Sequence, residues 1–121
     1  MEYVGLDRIV KELKWEVVYK ASNFEDVKIY SSEIIRPGLQ MVGYYDKYSP
    51  ERLQIMGSAE WYYYNELDPK RRYQSIDKLF SYPIPCMVLS RDLPVFPELI
   101  LLAKKHNRTI LRTNAVTSKL I

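Results

Sequence analysis

The run Cys86-Met87-Val88-Leu89 constrains the fold more than any other stretch, because it is apolar throughout, too short for a helix, and reads as a strand buried on both faces. Behind it Pro97 opens a helix that turns Leu99, Leu102 and Ala103 inward and closes on Lys104, Lys105, His106 and Asn107. Thr109-Ile110-Leu111 is then a second strand. Strand, helix and strand in so short a span form a right-handed crossover, so the two strands are parallel neighbours in one sheet. The fold class that follows is α/β.

A chain of 121 residues fills one domain. Its 47% apolar and 27% charged residues exclude disorder, collagen-like repeats and coiled coil. The net charge is only +3, and acids are interleaved with cations, so no nucleic-acid partner is expected. The single cysteine, Cys86, excludes an intramolecular disulfide framework and a multi-thiolate metal cage, which fits a reducing, cytoplasmic setting. No signal peptide or membrane span is readable, so no membrane partner is expected either.

Upstream, Leu6, Ile9, Val10 and Leu13 form the stripe of an amphipathic helix that covers the sheet. Trp15 to Tyr19 and Val27 to Tyr30 read as strands separated by the turn Ala21-Ser22-Asn23. Arg36-Pro37-Gly38 has the order a type II turn needs, and Leu39 to Gly43 leaves it as a short strand. A further strand spans Leu53 and Ile55 and ends at Gly57, after which Ser58 is the expected N-cap of a helix reaching about Leu67. Asp68-Pro69 caps the next helix, whose buried face is Tyr73, Ile76 and Phe80, and Pro83 and Pro85 stop it. At the C-terminus Thr117-Ser118 has N-cap character with only three residues following, which points to a domain border there.

Eleven tyrosines are the one anomaly of composition. Trp61, Tyr62, Tyr63 and Tyr64 are consecutive, and at about 100° per residue they span most of a helix circumference, so one or two must meet solvent or a partner. Tyr44, Tyr45, Tyr62 and Tyr63 are therefore candidate interface residues, against the alternative that these rings fill the domain's own core with their hydroxyls at its edge.

Most chemical motifs fail on inspection. Gly38 and Gly43 match the glycine spacing of a phosphate-binding P-loop, but Tyr44 and Tyr45 stand where Lys and Ser or Thr are required. His106 reads as part of a cation-rich last helical turn with Asn107 as its left-handed cap, and Cys86 as an inert buried thiol. Acids such as Glu25, Asp26, Glu66 and Asp68 fall where capping explains them. No metal site is expected. One constellation remains, beyond the carboxyl ends of the parallel strands, where ligands bind in open α/β sheets. Ser90 and Arg91 follow one strand, and Arg112, Thr113 and Asn114 the other; they form a candidate anion crevice, or ordinary polar loops.

The segment Ser32-Glu33-Ile34-Ile35-Arg36-Pro37-Gly38-Leu39-Gln40-Met41-Val42-Gly43-Tyr44-Tyr45, read with Pro50-Glu51-Arg52-Leu53-Gln54-Ile55-Met56-Gly57 and Glu60-Trp61, closely resembles the N-terminal domain of bacterial HPr(Ser) kinase/phosphorylase, the HprK/P family. Ser90-Arg91-Asp92-Leu93-Pro94, Leu111-Arg112-Thr113 and Thr117-Ser118-Lys119-Leu120 extend the likeness over essentially the whole chain. The resemblance implies a cytoplasmic enzyme of carbon catabolite regulation that uses ATP or pyrophosphate with Mg²⁺ to phosphorylate a serine of the phosphocarrier HPr, and reverses the step with inorganic phosphate. It implies a three-layer α/β/α sandwich with a mixed sheet, similar to the N-terminal domain of MurF-type ligases, and a family homohexamer built on the catalytic domains. The family's P-loop, Mg²⁺ ligands and general base lie in a second domain. Residues 1–116 are then the N-terminal domain and 117–121 the start of the connection to a C-terminal catalytic domain. The expected function is a non-catalytic regulatory or assembly module, without a cofactor of its own and partnered by the catalytic domain. The alternative is a sensor of small anions or sugar phosphates.

Overall fold

Residues 2–115 are described in a computed structural model; residues 116–121, with the cap expected at Thr117-Ser118 and the expected border at 116/117, lie outside them. The buried apolar run is strand β6 (Met87–Leu89), and β7 (Ile110–Arg112) lies parallel to it with Met87 opposite Ile110 and Leu89 opposite Arg112. Helix α5 (Pro97–His106) makes the crossover and ends on Asn107 in the left-handed region at φ 58°, as expected from its sequence. β5 (Leu53–Met56) lies parallel to β6, β4 (Ile34–Ile35) parallel to β5, and β2 (Glu16–Tyr19) antiparallel to β7. The mixed sheet therefore runs β2-β7-β6-β5-β4.

Its strands divide the core by their period of two. Leu53, Ile55, Cys86, Val88 and Leu111 face a layer built on α1 (Leu6–Leu13) through Leu6 and Val10. Met56, Met87, Leu89 and Ile110 face the other layer, made by α3 (Ser58–Glu66), α4 (Pro69–Ser81) and α5. The molecule is a three-layer α/β/α fold with a mixed sheet.

Several local expectations are corrected. The strand expected over Val27 to Tyr30 is shorter, β3 at Lys28–Ile29, and pairs antiparallel with β1 (Val4–Gly5) in a ribbon separate from the main sheet. Leu39 to Gly43 is not a strand, because helix α2 (Gly38–Met41) occupies it, burying Gln40 and Met41 together and exposing Leu39 and Val42. Pro37 has φ −80° and ψ 40°, and the Gly38 N–H donates to the Arg36 carbonyl at 2.8 Å, so the turn is an inverse γ-turn and not type II. The glycine that needs its conformational freedom is Gly43, at φ 104°. Gly57 and not Ser58 is the N-cap of α3, since Glu60 reaches back to accept the Gly57 N–H at 2.7 Å and makes a hydroxyl cap unnecessary. On α4 the buried face is Ile76, Leu79 and Phe80, while Tyr73 is exposed.

α4 and α5 are tied at one end by Asp77, which accepts from His106 Nε2 at 2.7 Å and Lys105 Nζ at 3.0 Å. The His106 hydrogen bond, then that of Lys105, holds the Asp77 carboxyl below its ordinary range. A carboxyl whose pKa is depressed by folding stabilises above its unfolded value, about 4, and loses that contribution as pH falls through the folded one. Asp77→Asn is expected to melt with a smaller loss of midpoint between pH 5 and pH 3 than the parent, measured by circular dichroism. Identical pH dependence in both would refute the linkage.

Candidate functional site

The loops that leave β6 and β7 zip together at the carboxyl end of the sheet. Thr113 N–H donates to the Leu89 carbonyl, Asp92 N–H to the Thr113 carbonyl and Arg91 N–H to the Ala115 carbonyl, each at 2.9 Å. Arg91 and Asp92 both sit in the left-handed region, at φ 54° and 51°, a strained conformation for two successive non-glycine residues.

This arrangement places the expected crevice residues unequally. Arg112, Thr113 and Asn114 line an open groove of about 410 Å³ with Lys14, Glu16 and Asp92. Arg91 is exposed outside that groove, and the buried Ser90 turns toward β5, its hydroxyl donating to the Met56 carbonyl at 3.3 Å. Arg112 is already engaged: Nε and Nη2 fork onto the two carboxylate oxygens of Glu16 at 3.0 and 3.2 Å. Lys14 and Arg112 in the groove face Glu16 and Asp92, so its formal charges cancel.

The motif residues upstream hold one another. Arg36, just past β4, forks onto Glu60 through Nε and Nη2, both at 3.1 Å, and the buried Glu60 also serves as the α3 cap. Arg52 pairs with Glu33 at 2.6 Å. The fully buried Gln54 accepts from the Tyr48 hydroxyl at 2.7 Å and donates to the Arg52 carbonyl at 2.7 Å. Ser75 on α4 donates to the Met41 carbonyl at 2.8 Å, which leaves its oxygen to accept from Tyr64, also at 2.8 Å. The signature segments are thus fastened to α3 through Arg36, to α4 through the Met41 carbonyl, and to each other through Arg52 and Glu33.

Of the tyrosines expected at an interface, Tyr44, Tyr62 and Tyr63 are exposed. Tyr45 departs from that expectation. It is half-buried, stacked on Tyr82 at 4.6 Å between centroids and edge-on to Tyr48 at 5.6 Å. Burial, then the neighbouring Tyr82, pushes its phenol up to about 12, and its oxygen is the one buried side-chain polar atom among the described residues without a hydrogen bond. An unmet buried hydroxyl costs about 1–3 kcal/mol. Tyr45→Phe is therefore expected to leave the melting temperature unchanged or raise it by a few degrees, and a fall of several degrees would show that the hydroxyl has a stabilising partner.

Two residues at the heart of this region escaped sequence reasoning. Glu60 was legible only as part of the Glu60-Trp61 pair in the family resemblance, and its pairing with Arg36 depends on the fold. Arg72 gave no signal: Nε and Nη2 donate to the Tyr64 and Leu67 carbonyls, both at 3.0 Å, while Nη1 meets Glu98 at 3.3 Å and the guanidinium lies 4.6 Å from the Phe96 ring centroid. The two residues considered for chemistry have structural surroundings. His106 is paired with Asp77, and Cys86 is wholly buried, where desolvation pushes its thiol pKa up and keeps it protonated.

A solved structure of the CBS and DRTGG domains of the regulatory region of Clostridium perfringens pyrophosphatase, complexed with its activator diadenosine tetraphosphate, superposes with a TM-score of 0.64 at 17% identity, covering 96% of this chain and 44% of that one. That likeness is one of fold. The HPr kinase/phosphorylase of Caldanaerobacter subterraneus subsp. tengcongensis is 41% identical over all 121 residues, and that of Peptoclostridium acidaminophilum 42% identical over 118 residues, or 98% of the chain. The chain spans 39% of the first relative's length and 38% of the second's. Residues 4–121 match the family described as HPr Serine kinase N terminus. With the whole length matched and the signature residues pairing inside the fold, the chain belongs to the HPr serine kinase N-terminus family.

Proposed function

We propose that this chain is the non-catalytic N-terminal module of an HPr(Ser) kinase/phosphorylase, acting in regulation or assembly beside a C-terminal catalytic domain. That domain would carry the ATP or pyrophosphate and Mg²⁺ chemistry, and HPr would be the substrate of the whole enzyme. The observation that carries this reading is the match of residues 4–121 to an N-terminus family, in relatives of which the chain spans only 38–39%.

Local geometry supports it. Phosphoryl transfer rests on positioning and electrostatic clamping of the transferred group. The only glycine pair at P-loop spacing, Gly38 and Gly43, flanks α2, and the side chains that follow are tyrosines, so neither the phosphate-gripping lysine nor the Mg²⁺-binding hydroxyl is supplied there. Arg36, Arg72 and Arg112 are each spent on a carboxylate of the same chain. Exposed Tyr44, Tyr62 and Tyr63 supply aromatic contact area for another domain or subunit, and none of the described helices is long and apolar enough to cross a membrane.

The assembly role is tested by mixing the chain with the separately produced C-terminal remainder of the Caldanaerobacter relative and measuring sedimentation. A joint species is expected, weakened by Tyr62→Ala with Tyr63→Ala. Two components that sediment independently at high micromolar concentration would count against assembly.

A further inference from the structure

α4 presents a polar stripe that the pairings described above leave largely unspent. Arg71, Gln74, Ser75 and Lys78, at i, i+3, i+4 and i+7, share one face and line an open cleft of about 330 Å³ toward α2. Every ionisable side chain lining that cleft is a cation or a phenol, and no carboxylate lines it among the described residues. The contrast with the β6/β7 groove is one of charge, since two cations and two carboxylates line that groove.

The two cations are also poorly neutralised by their wider surroundings. Lys78 has no carboxylate partner among the described residues, and its ammonium lies 4.8 Å from the Tyr45 ring centroid. Arg71 reaches only Asp68, at 3.8 Å, with both side chains largely exposed, a pair of little energetic weight. A concave site of one sign concentrates ions of the other. Arg71 and Lys78 stand about 10.5 Å apart along the helix axis, at about 1.5 Å per residue, with the Gln74 amide between them. A tetrahedral oxyanion has enough acceptors to meet a guanidinium fork, an ammonium and an amide at once, whereas a carboxylate offers only two oxygens. The volume lies at the small end of ligand sites, with room for a compact organic body.

We infer that the α2–α4 cleft binds a phosphate-class oxyanion, held by Arg71 and Lys78 with Gln74 between them. The inference is independent of the module's role in assembly. The oxyanion is either inorganic phosphate or the phosphoryl group of a small ester, and both present the same chemistry to the cleft.

Thermal melting of the chain tests it, with inorganic phosphate and with glycerol 3-phosphate titrated separately to 20 mM at ionic strength held constant with chloride. Both probes are expected to raise the midpoint saturably by about 2–5 °C through mass action on the folded state. The shift should vanish in the variant R71Q/K78Q, whose own midpoint without phosphate stays close to the parent's because both side chains are exposed. A larger shift with the ester identifies organic phosphate as the occupant, and a larger one with the free ion identifies inorganic phosphate; either supports the site. No saturable shift with either probe, or the same shift in R71Q/K78Q, overturns it.

Discussion

Arg72→Met is expected to destabilise the fold by about 3–5 kcal/mol, the cost of breaking a largely buried ion pair by removing one partner. The guanidinium closes α3 by donating to the Tyr64 and Leu67 carbonyls and joins that helix end to Glu98 in the first turn of α5. Methionine keeps an apolar stem for the Phe96 ring and deletes every donor. Two carbonyls and a carboxylate are then left short of partners in a pocket where Arg72 and Glu98 are only 12% and 15% exposed. Denaturant unfolding measures the loss. Adding Glu98→Gln should recover part of it, because the stranded charge is gone. A single-variant loss below about 1 kcal/mol would mean that water already solvates these groups, contrary to the account.

Phe80→Ala should cost about 3–5 kcal/mol, the range for emptying a large buried aromatic site. Phe80 is fully buried in the α3/α4/α5 core with Met87, Leu89 and Ile110 of the sheet beneath, a neighbourhood that cannot collapse without moving strands. Tyr73→Ala is the control. Tyr73 on the same helix is 38% exposed, so its truncation should cost far less. Comparable losses for the two would contradict the assignment of the buried face of α4 to Ile76, Leu79 and Phe80.

What the sequence revealed and what it hid divide along physical lines. The β6-α5-β7 unit was legible because a buried parallel strand is apolar on both faces, and a proline start with an asparagine stop brackets its helix. The α1 stripe and the Asp68-Pro69 start of α4 were legible for similar reasons of local periodicity and capping. β1 and β4, of two residues each, are too short for any period to show, and both are defined by pairing with strands remote in sequence. At Pro37-Gly38 the same residue pair suits a type II turn and a helix start, and tertiary burial of Gln40 and Met41 decided for the helix.

The candidate crevice shows a second limit. Sequence placed Ser90, Arg91, Arg112, Thr113 and Asn114 at the ends of neighbouring strands, and they are there, but the partners that set their chemistry are distant. Glu16 comes from an antiparallel edge strand, and Ser90 turns to β5. The aromatic run on α3 behaved as its angular spacing required: Tyr64 is fully buried, Trp61 stacks on Phe96 at 5.0 Å, and Tyr62 and Tyr63 face solvent.

On the proposed division of labour, another domain transfers the phosphoryl group and this chain transfers none. That division is tested most directly by incubating the chain with HPr, Mg²⁺ and γ-labelled ATP, alone and as a chimera that replaces the matching N-terminal segment of the Caldanaerobacter relative. Label is expected on an HPr serine with the chimera and none with the chain alone. Phosphoserine formed by the isolated chain would contradict that division.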